Sequence, residues 1–426
     1  MIPHLRAIIK AICVPLLIAL LLVLPYVMGA VPHIGVFKLY PILCVILSII
    51  LTLLPSQHRQ NLRLAFVSAA LTICLVDLIW RSPLISPQVA KQMWPPLPVL
   101  SRWPANLSLH HTRRGDLATL LGNSRYAEPR EVTVITDAYG FRNGDPARID
   151  YITLGDSYTF GSGSSQNESW AALIGRLTDQ PVYNLGMGGS SPWQQYVTLA
   201  IERSRLHTSA DAAVIWMIFA GNDLDDPYIP EWDIDNLRSG LTGFLRAYYL
   251  NFRVKSRVGA LLTRWVTESD KRVVISHLPD GQSILYFQPQ LERAQRSVEQ
   301  VRQHSNYEPL LTTVRAVKQL TADNGLRLYM VIAPSKEEIY RWAWDSGYES
   351  ANAAPISAFS KALTQDARQE NICVLELAPS FAEEARRRYA EDGSLLWWRD
   401  DTHWNVEGNH FAATSILDWL SSEPCQ

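Results

Sequence analysis

Several absences narrow the field before any motif is read. The chain carries a net charge of only −2 over 426 residues, so its balance calls for no nucleic-acid partner. Cysteine is scarce, at five residues. Cys13, Cys44 and Cys74 fall in apolar stretches with no metal-like spacing. Cys373 and Cys425 lie in the more polar part and are able to pair only in an oxidising compartment. His110 and His111 are adjacent and lack partners at ligand spacing, so they read as surface or cleft-rim residues and not a metal site. No metal and no cofactor is expected. No internal repeat or low-complexity segment occurs, which sets repeat architectures aside. The apolar N-terminal run lacks a convincing small-residue cleavage site and is followed by more hydrophobic segments, which favours an anchor over a removed signal peptide.

What is there begins with apolar runs over 11–28, 39–54 and 64–80. About 20 residues span a hydrocarbon core, so residues 1–82 read as an anchor of about three transmembrane helices, the second and third short. Arg6 and Lys10, then His58, Arg59 and Arg63, mark the cytoplasmic side. Three crossings place everything after Arg81 on the other face, a periplasmic catalytic domain on an inner (cytoplasmic) membrane protein. Asp77, near the end of the third run, is expected to meet headgroups and water.

Residues 83–148 read as a proline-rich linker and an N-terminal extension, with a strand over 132–136 and a DAYG turn after it. Residues 149–426 hold strands at 151–154, 182–184, 212–219, 326–332 and 374–377. Helical patterns cover 170–177, 192–205, 309–322, 356–368 and 406–420. That alternation predicts an α/β fold with a parallel sheet covered on both faces. An insertion at about 225–307 breaks the rhythm. It contains a basic, aromatic stretch (241–266), read as a helix packed on the core or lying on the membrane surface. A hairpin follows, turning at Pro279-Asp280-Gly281.

Four blocks carry chemistry. YITLGDSYTFGSG (151–163) is a strand, a tight turn and a helix start, with Ser157 at the strand's carboxyl end, where open α/β sheets bind ligands. NLGMGGSS (184–191) is a strand end and a glycine turn. FAGNDLDD (219–226) ends an apolar strand with Asn222-Asp223. DDTHWNVEG (400–408) puts carboxylates beside His403 just before the last helix. Acyl transfer needs a nucleophile, a base, an orienter for that base and oxyanion donors. Ser157 is the expected nucleophile and His403 the base. Asp400 is the expected orienter, with Asp401 as the alternative. The expected oxyanion donors are the backbone N–H groups of Ser157 and Gly189 and the side-chain amide of Asn222. A glycine suits the second role because backbone must approach substrate closely.

GDS, the Asn-x-Gly-x-x-Gly turn, GND and D-x-x-H resemble the four blocks of the SGNH (GDSL-type) hydrolase superfamily, over roughly 149–420. The resemblance implies a flavodoxin-like three-layer α/β/α domain and a Ser-His-Asp ester hydrolase or acyltransferase. The chain departs from the pattern at Ala220, where a glycine is expected; the asparagine survives. DTHWN and PSKEEIY (334–340) are similar to a branch of membrane-associated, alginate-acetylation-type proteins. In that branch the aspartate lies two residues before the histidine, which makes Asp401 the orienter. That likeness implies action on exported polysaccharides, polysaccharide-export partners, and substrate contact by Lys336. Trp404 is a further expected substrate contact, because aromatics beside polar clefts stack on sugars. The expected activity is removal or transfer of small acyl groups, acetyl above all, on exported or cell-surface glycans. The alternatives are a lipid or lysophospholipid esterase and a catalytically idle glycan-binding or assembly module.

Overall fold

The structure, a computed structural model, describes residues 102–103, 105–144, 146–226, 272–343 and 356–422. The chain divides into two compact units, Met1–Trp103 with Asp235–Glu268, and Pro104–Ile234 with Ser269–Gln426. Nearly all described residues belong to the second. The three expected membrane spans and the basic stretch 241–266 lie outside the described residues. Among the described residues, no helix is long and apolar enough to cross a membrane. Cys373 is disulfide-bonded, while Cys425 lies outside the described residues.

The second unit is built on a five-stranded parallel sheet. In chain order the strands are β1 (Ser108–Arg113), β2 (Arg130–Ile135), β3 (Ile149–Leu154), β4 (Val182–Asn184), β5 (Thr208–Phe219), β6 (Val273–His277), β7 (Ser283–Phe287), β8 (Arg327–Ala333) and β9 (Cys373–Glu376). The large sheet runs β4-β3-β5-β8-β9, all pairs parallel. Numbered among its own members that is the order 2-1-3-4-5 of flavodoxin-like folds, with the switch point beside its first strand. Ser157 follows that strand.

β5 shows why the sheet needs two covers. Ile215, Met217 and Phe219 join a core with Trp170, Ile174, Ala412 and Ile416, from the helices Trp170–Thr178 and Val406–Ser421. Trp216, on the alternate face, donates its indole N–H to Gln195 Oε1 at 2.6 Å, on the helix Pro192–Glu202. Side chains in a strand alternate, so a strand apolar at every position from Ala212 to Phe219 must be buried on both sides.

Two antiparallel hairpins flank this sheet. β1 pairs with β2 and β6 with β7. The second turns as expected, with the Gly281 N–H on the Leu278 carbonyl (2.8 Å) and Gly281 at φ +82°. The DAYG turn closes when Asp137 Oδ1 accepts from the N–H groups of Tyr139 and Phe141. The helix Ala378–Asp392 is absent from the sequence-based expectation, as are the shorter Asp116–Leu121, Gln288–Ala294, Val298–Arg302 and Lys336–Ile339. The first of these buries only Ala378, Phe381 and Ala385, so its apolar stripe is too thin to stand out among its charges.

Candidate active site

The turn after β3 is set by Gly155. Its φ of +152° and a would-be Cβ 2.2 Å from Thr159 Oγ1 and 2.8 Å from the Met217 carbonyl leave room only for glycine. Asp156 then caps the short helix Ser157–Phe160, accepting from the Tyr158 N–H at 2.9 Å. Ser157 is the first residue of that helix, so its N–H has no intrahelical partner. Its hydroxyl stands at the carboxyl end of the sheet.

The histidine loop reaches the serine because Tyr158 pins it. The Tyr158 hydroxyl donates to the Thr402 carbonyl (2.6 Å) and accepts from the Trp397 indole (3.1 Å). Asn405 caps the helix Val406–Ser421 by accepting from the Gly408 N–H. His403 Nε2 lies 2.8 Å from Ser157 Oγ. Its Nδ1 lies 2.6 Å from Asp401 Oδ1. The three side chains thus form one unbroken hydrogen-bonded line.

Asp401, fully buried, turns its other oxygen to the Arg130 guanidinium, with Arg113 4.0 Å away. Burial works against its charge, but His403 and the two guanidiniums outweigh it and hold the carboxyl well below the ordinary range. Burial also opposes a charged imidazole, yet Asp401 and then Asp116 outweigh it and raise His403.

The expectation that Asp400 orients the histidine is corrected. Asp400 Oδ2 accepts from the N–H groups of Gly115 (2.8 Å) and Glu128 (2.7 Å), and its Oδ1 from Arg130 (2.9 Å). Its carbonyl accepts from Leu117 and Ala118 at 3.1 and 3.2 Å. Of the two neighbouring carboxylates only Asp401 faces the ring; Asp400 ties the loop to the segment 115–130. A Cβ on Gly115 would sit 2.0 Å from the Asp400 carbonyl oxygen, so that tie demands glycine.

Besides Ser157, the expected oxyanion donors follow the strands either side of β3. The turn after β4 is drawn to Ser157's neighbour, with Met187 N–H on the Gly155 carbonyl (3.1 Å) and Ser190 Oγ on the same carbonyl (3.3 Å). Gly189 sits at its tip with φ +74° and open space around it. After β5, the Asn222 amide donates to Asp226 Oδ2 at 3.0 Å, which fixes the amide and leaves its second N–H available. Burial, with Asp156 nearby, pushes Asp226 up to about 7 and Asp223 well above its ordinary value.

Two expected substrate contacts are corrected as well. Lys336 is fully buried. Its ammonium donates to the carbonyls of Asp401 (2.7 Å), Trp398 and Arg399 (both 3.3 Å), so it holds the histidine loop from beneath. Burial lowers its pKa. Trp404 is 1% exposed, stacked on Phe381 at 5.0 Å and edge-on to Tyr158 at 4.7 Å. Both residues build the site's floor and neither faces a cleft. His110 bonds Thr133 and pairs with Glu131 on the hairpin surface.

Sequence reasoning missed Arg130, Asp116 and Glu128. Asp116 accepts from the Thr402 N–H at 2.8 Å and from its hydroxyl, and Glu128 pairs with Arg399. Nothing local marks them, since Arg130 lies 270 residues from Asp400. Asp116, Asp401 and His403 place donor atoms within 4.8 Å of one another. Asp401 Oδ1 and His403 Nδ1 are committed to each other and Asp401 Oδ2 to Arg130, while Asp116 is bonded to Thr402 and stands 3.7 Å from Nδ1, so the trio reads as an electrostatic cluster about the imidazole.

Residues 291–425 match the family described as "SGNH hydrolase-like domain, acetyltransferase AlgX". No curated protein matches the chain. Among solved structures, an acetyl xylan esterase (AlAXEase) is 13% identical over 63% of this chain and 98% of its own, with a TM-score of 0.34. A lipolytic G-D-S-L family member from Veillonella parvula is 11% identical over 65% and 99%, at 0.34. The psychrotrophic esterase EstA from Pseudoalteromonas sp. is 12% identical over 64% and 98%, at 0.31. These three likenesses are distant in both sequence and superposition. The family match makes the segment 291–425 similar to SGNH hydrolase-like domains of a branch related to AlgX.

Proposed function

We propose that this chain is a membrane-anchored serine esterase or O-acyltransferase that removes or moves small acyl groups, acetyl above all, on exported or cell-surface glycans. The observation that carries the reading is the line Ser157 Oγ, His403 Nε2, His403 Nδ1, Asp401 Oδ1, at 2.8 and 2.6 Å. In it a hydroxyl meets a base whose tautomer is held by a buried anion.

His403 Nε2 takes the Ser157 proton as Oγ bonds to the ester carbonyl carbon, whose π pair moves to oxygen. The Ser157 and Gly189 N–H groups and the Asn222 amide would receive that oxyanion, and losing one such donor typically costs about 2.7–4 kcal/mol of barrier. Collapse breaks the bond to the departing oxygen, which leaves with the proton from Nε2. Water or an acceptor hydroxyl then attacks the acyl-serine over the same proton path, giving hydrolysis or transfer.

The acetyl assignment draws support from the matched family's acetyltransferase description, and the glycan assignment from the likeness of DTHWN and PSKEEIY to the alginate-acetylation branch. The anchor, the inner-membrane location with a periplasmic catalytic face, and export-machinery partners draw on the apolar runs of 1–82 and their flanking cations. Turnover of an aryl acetate by the full chain and by Ser157→Ala tests the reading. A loss of about a thousandfold or more is expected. Equal rates would refute it and favour a binding module.

A further inference from the structure

His403 Nδ1 faces two carboxylates. Asp401 Oδ1 bonds it at 2.6 Å, and Asp116 Oδ2 stands 3.7 Å away. Asp116 opens the short helix Asp116–Leu121, in a part of the chain that precedes the family-matched span 291–425. It reaches the ring by way of Thr402, whose N–H it accepts at 2.8 Å and whose hydroxyl it also accepts. That hydroxyl itself lies 3.3 Å from Nδ1.

A neutral acceptor would satisfy Thr402 equally well, so the tether alone does not explain a carboxylate. Placing one there has a cost. Partial burial and the neighbouring Asp401 push the Asp116 carboxyl up to about 6, because two anions repel at this range. The repulsion is offset only when a cation stands between them, and the group in that place is the imidazole of His403. The guanidiniums of Arg113 and Arg130 lie toward Asp401 Oδ2. Asp156 also acts on His403, and Lys336 feels Asp116.

We propose that Asp116 is a positioning residue of the reaction: a second carboxylate, supplied by the N-terminal extension, that stabilises the imidazolium formed when Ser157 gives its proton to His403. It acts through His403 and touches no reacting atom. The proposal rests on the serine-ester reading above.

The test is kcat and KM for an aryl acetate across pH in the full-length wild type, Asp116→Asn, Asp116→Ser, Thr402→Val and Ser157→Ala. Loss of the second anion is expected to lower kcat by about ten- to a hundredfold, with KM within about twofold. The acidic limb of kcat/KM is expected to move to lower pH, because an imidazolium with one anion fewer gives up its proton more easily. Thr402→Val, which cuts the hydroxyl tether and keeps the charge, is expected to leave that limb in place. Asn and Ser at 116 are read in parallel, so one folded variant suffices. An unmoved limb in either variant, or an equal shift in Thr402→Val, would overturn the role of Asp116 alone, provided Ser157→Ala is inactive. An active Ser157→Ala would overturn the serine-ester reading and, with it, this proposal.

Discussion

Arg130 is the residue whose removal tests the architecture most severely. Its side chain is 7% exposed and those of Asp400 and Asp401 are 0%, so solvent does little to screen the trio. Replacing it with Met keeps an aliphatic stem beneath Trp398, over whose ring the guanidinium now sits at 4.3 Å, and removes the charge. Breaking a buried ion pair by deleting one partner costs about 3–5 kcal/mol. Asp401 retains His403, and Asp400 retains the N–H groups of Gly115 and Glu128. The lower end, about 3 kcal/mol, is therefore expected. At roughly 2–4 °C per kcal/mol for a domain of this size, Tm falls by about 6–12 °C. Scanning calorimetry at neutral pH reads that fall. If Asp400 is the stranded charge, Arg130→Met with Asp400→Asn recovers part of it, giving a coupling of about 0.5–3 kcal/mol. A Tm for Arg130→Met within 2 °C of wild type, or strict additivity with Asp400→Asn, would refute the reasoning.

The other predictions follow from the same geometry. Asp401→Asn should lower kcat by about 10⁴-fold, because the wrong tautomer of His403 then faces Ser157. Asp400→Asn should cost stability in a urea titration and little in kcat; equal kinetic losses would contradict the assignment. Because Asp401 and Asp116 raise His403, and the base acts as neutral imidazole, kcat/KM should rise with pH through a limb above the ordinary histidine value of 6.5; a limb below it would contradict the electrostatics. Lys336→Met should leave the Asp401 carbonyl without its ammonium donor and take one of two donors from the Trp398 and Arg399 carbonyls, costing about 1–3 kcal/mol and lowering kcat. KM should hold, whereas a substrate contact would show as a raised KM.

Much of the fold was legible because its signals are local. The apolar run ending at Phe219 and the glycine turns after β3 and β4 each state their conformation within a few residues. The site was legible only as far as residue type and order in the chain reach. Asp400 and Asp401 are one residue apart, and choosing between them requires knowing which way each side chain leaves the backbone. The GDS and D-x-H wording supplies the serine and the histidine. It says nothing of Arg130 or Asp116, whose partners lie 270 and 286 residues away. Lys336 and Trp404 looked functional because charged and aromatic residues at loop ends often are. Here a deep loop without regular structure needs donors for its carbonyls and packing beneath its turn, and both side chains serve that need.

The central claim is that the Ser157 hydroxyl is made nucleophilic by His403, and covalent trapping measures it most directly. A fluorophosphonate should label the full chain once, with mass spectrometry placing the adduct on Ser157, and His403→Ala should abolish labelling without unfolding the protein. An adduct on another residue, or undiminished labelling of Ser157 in His403→Ala, would contradict the account.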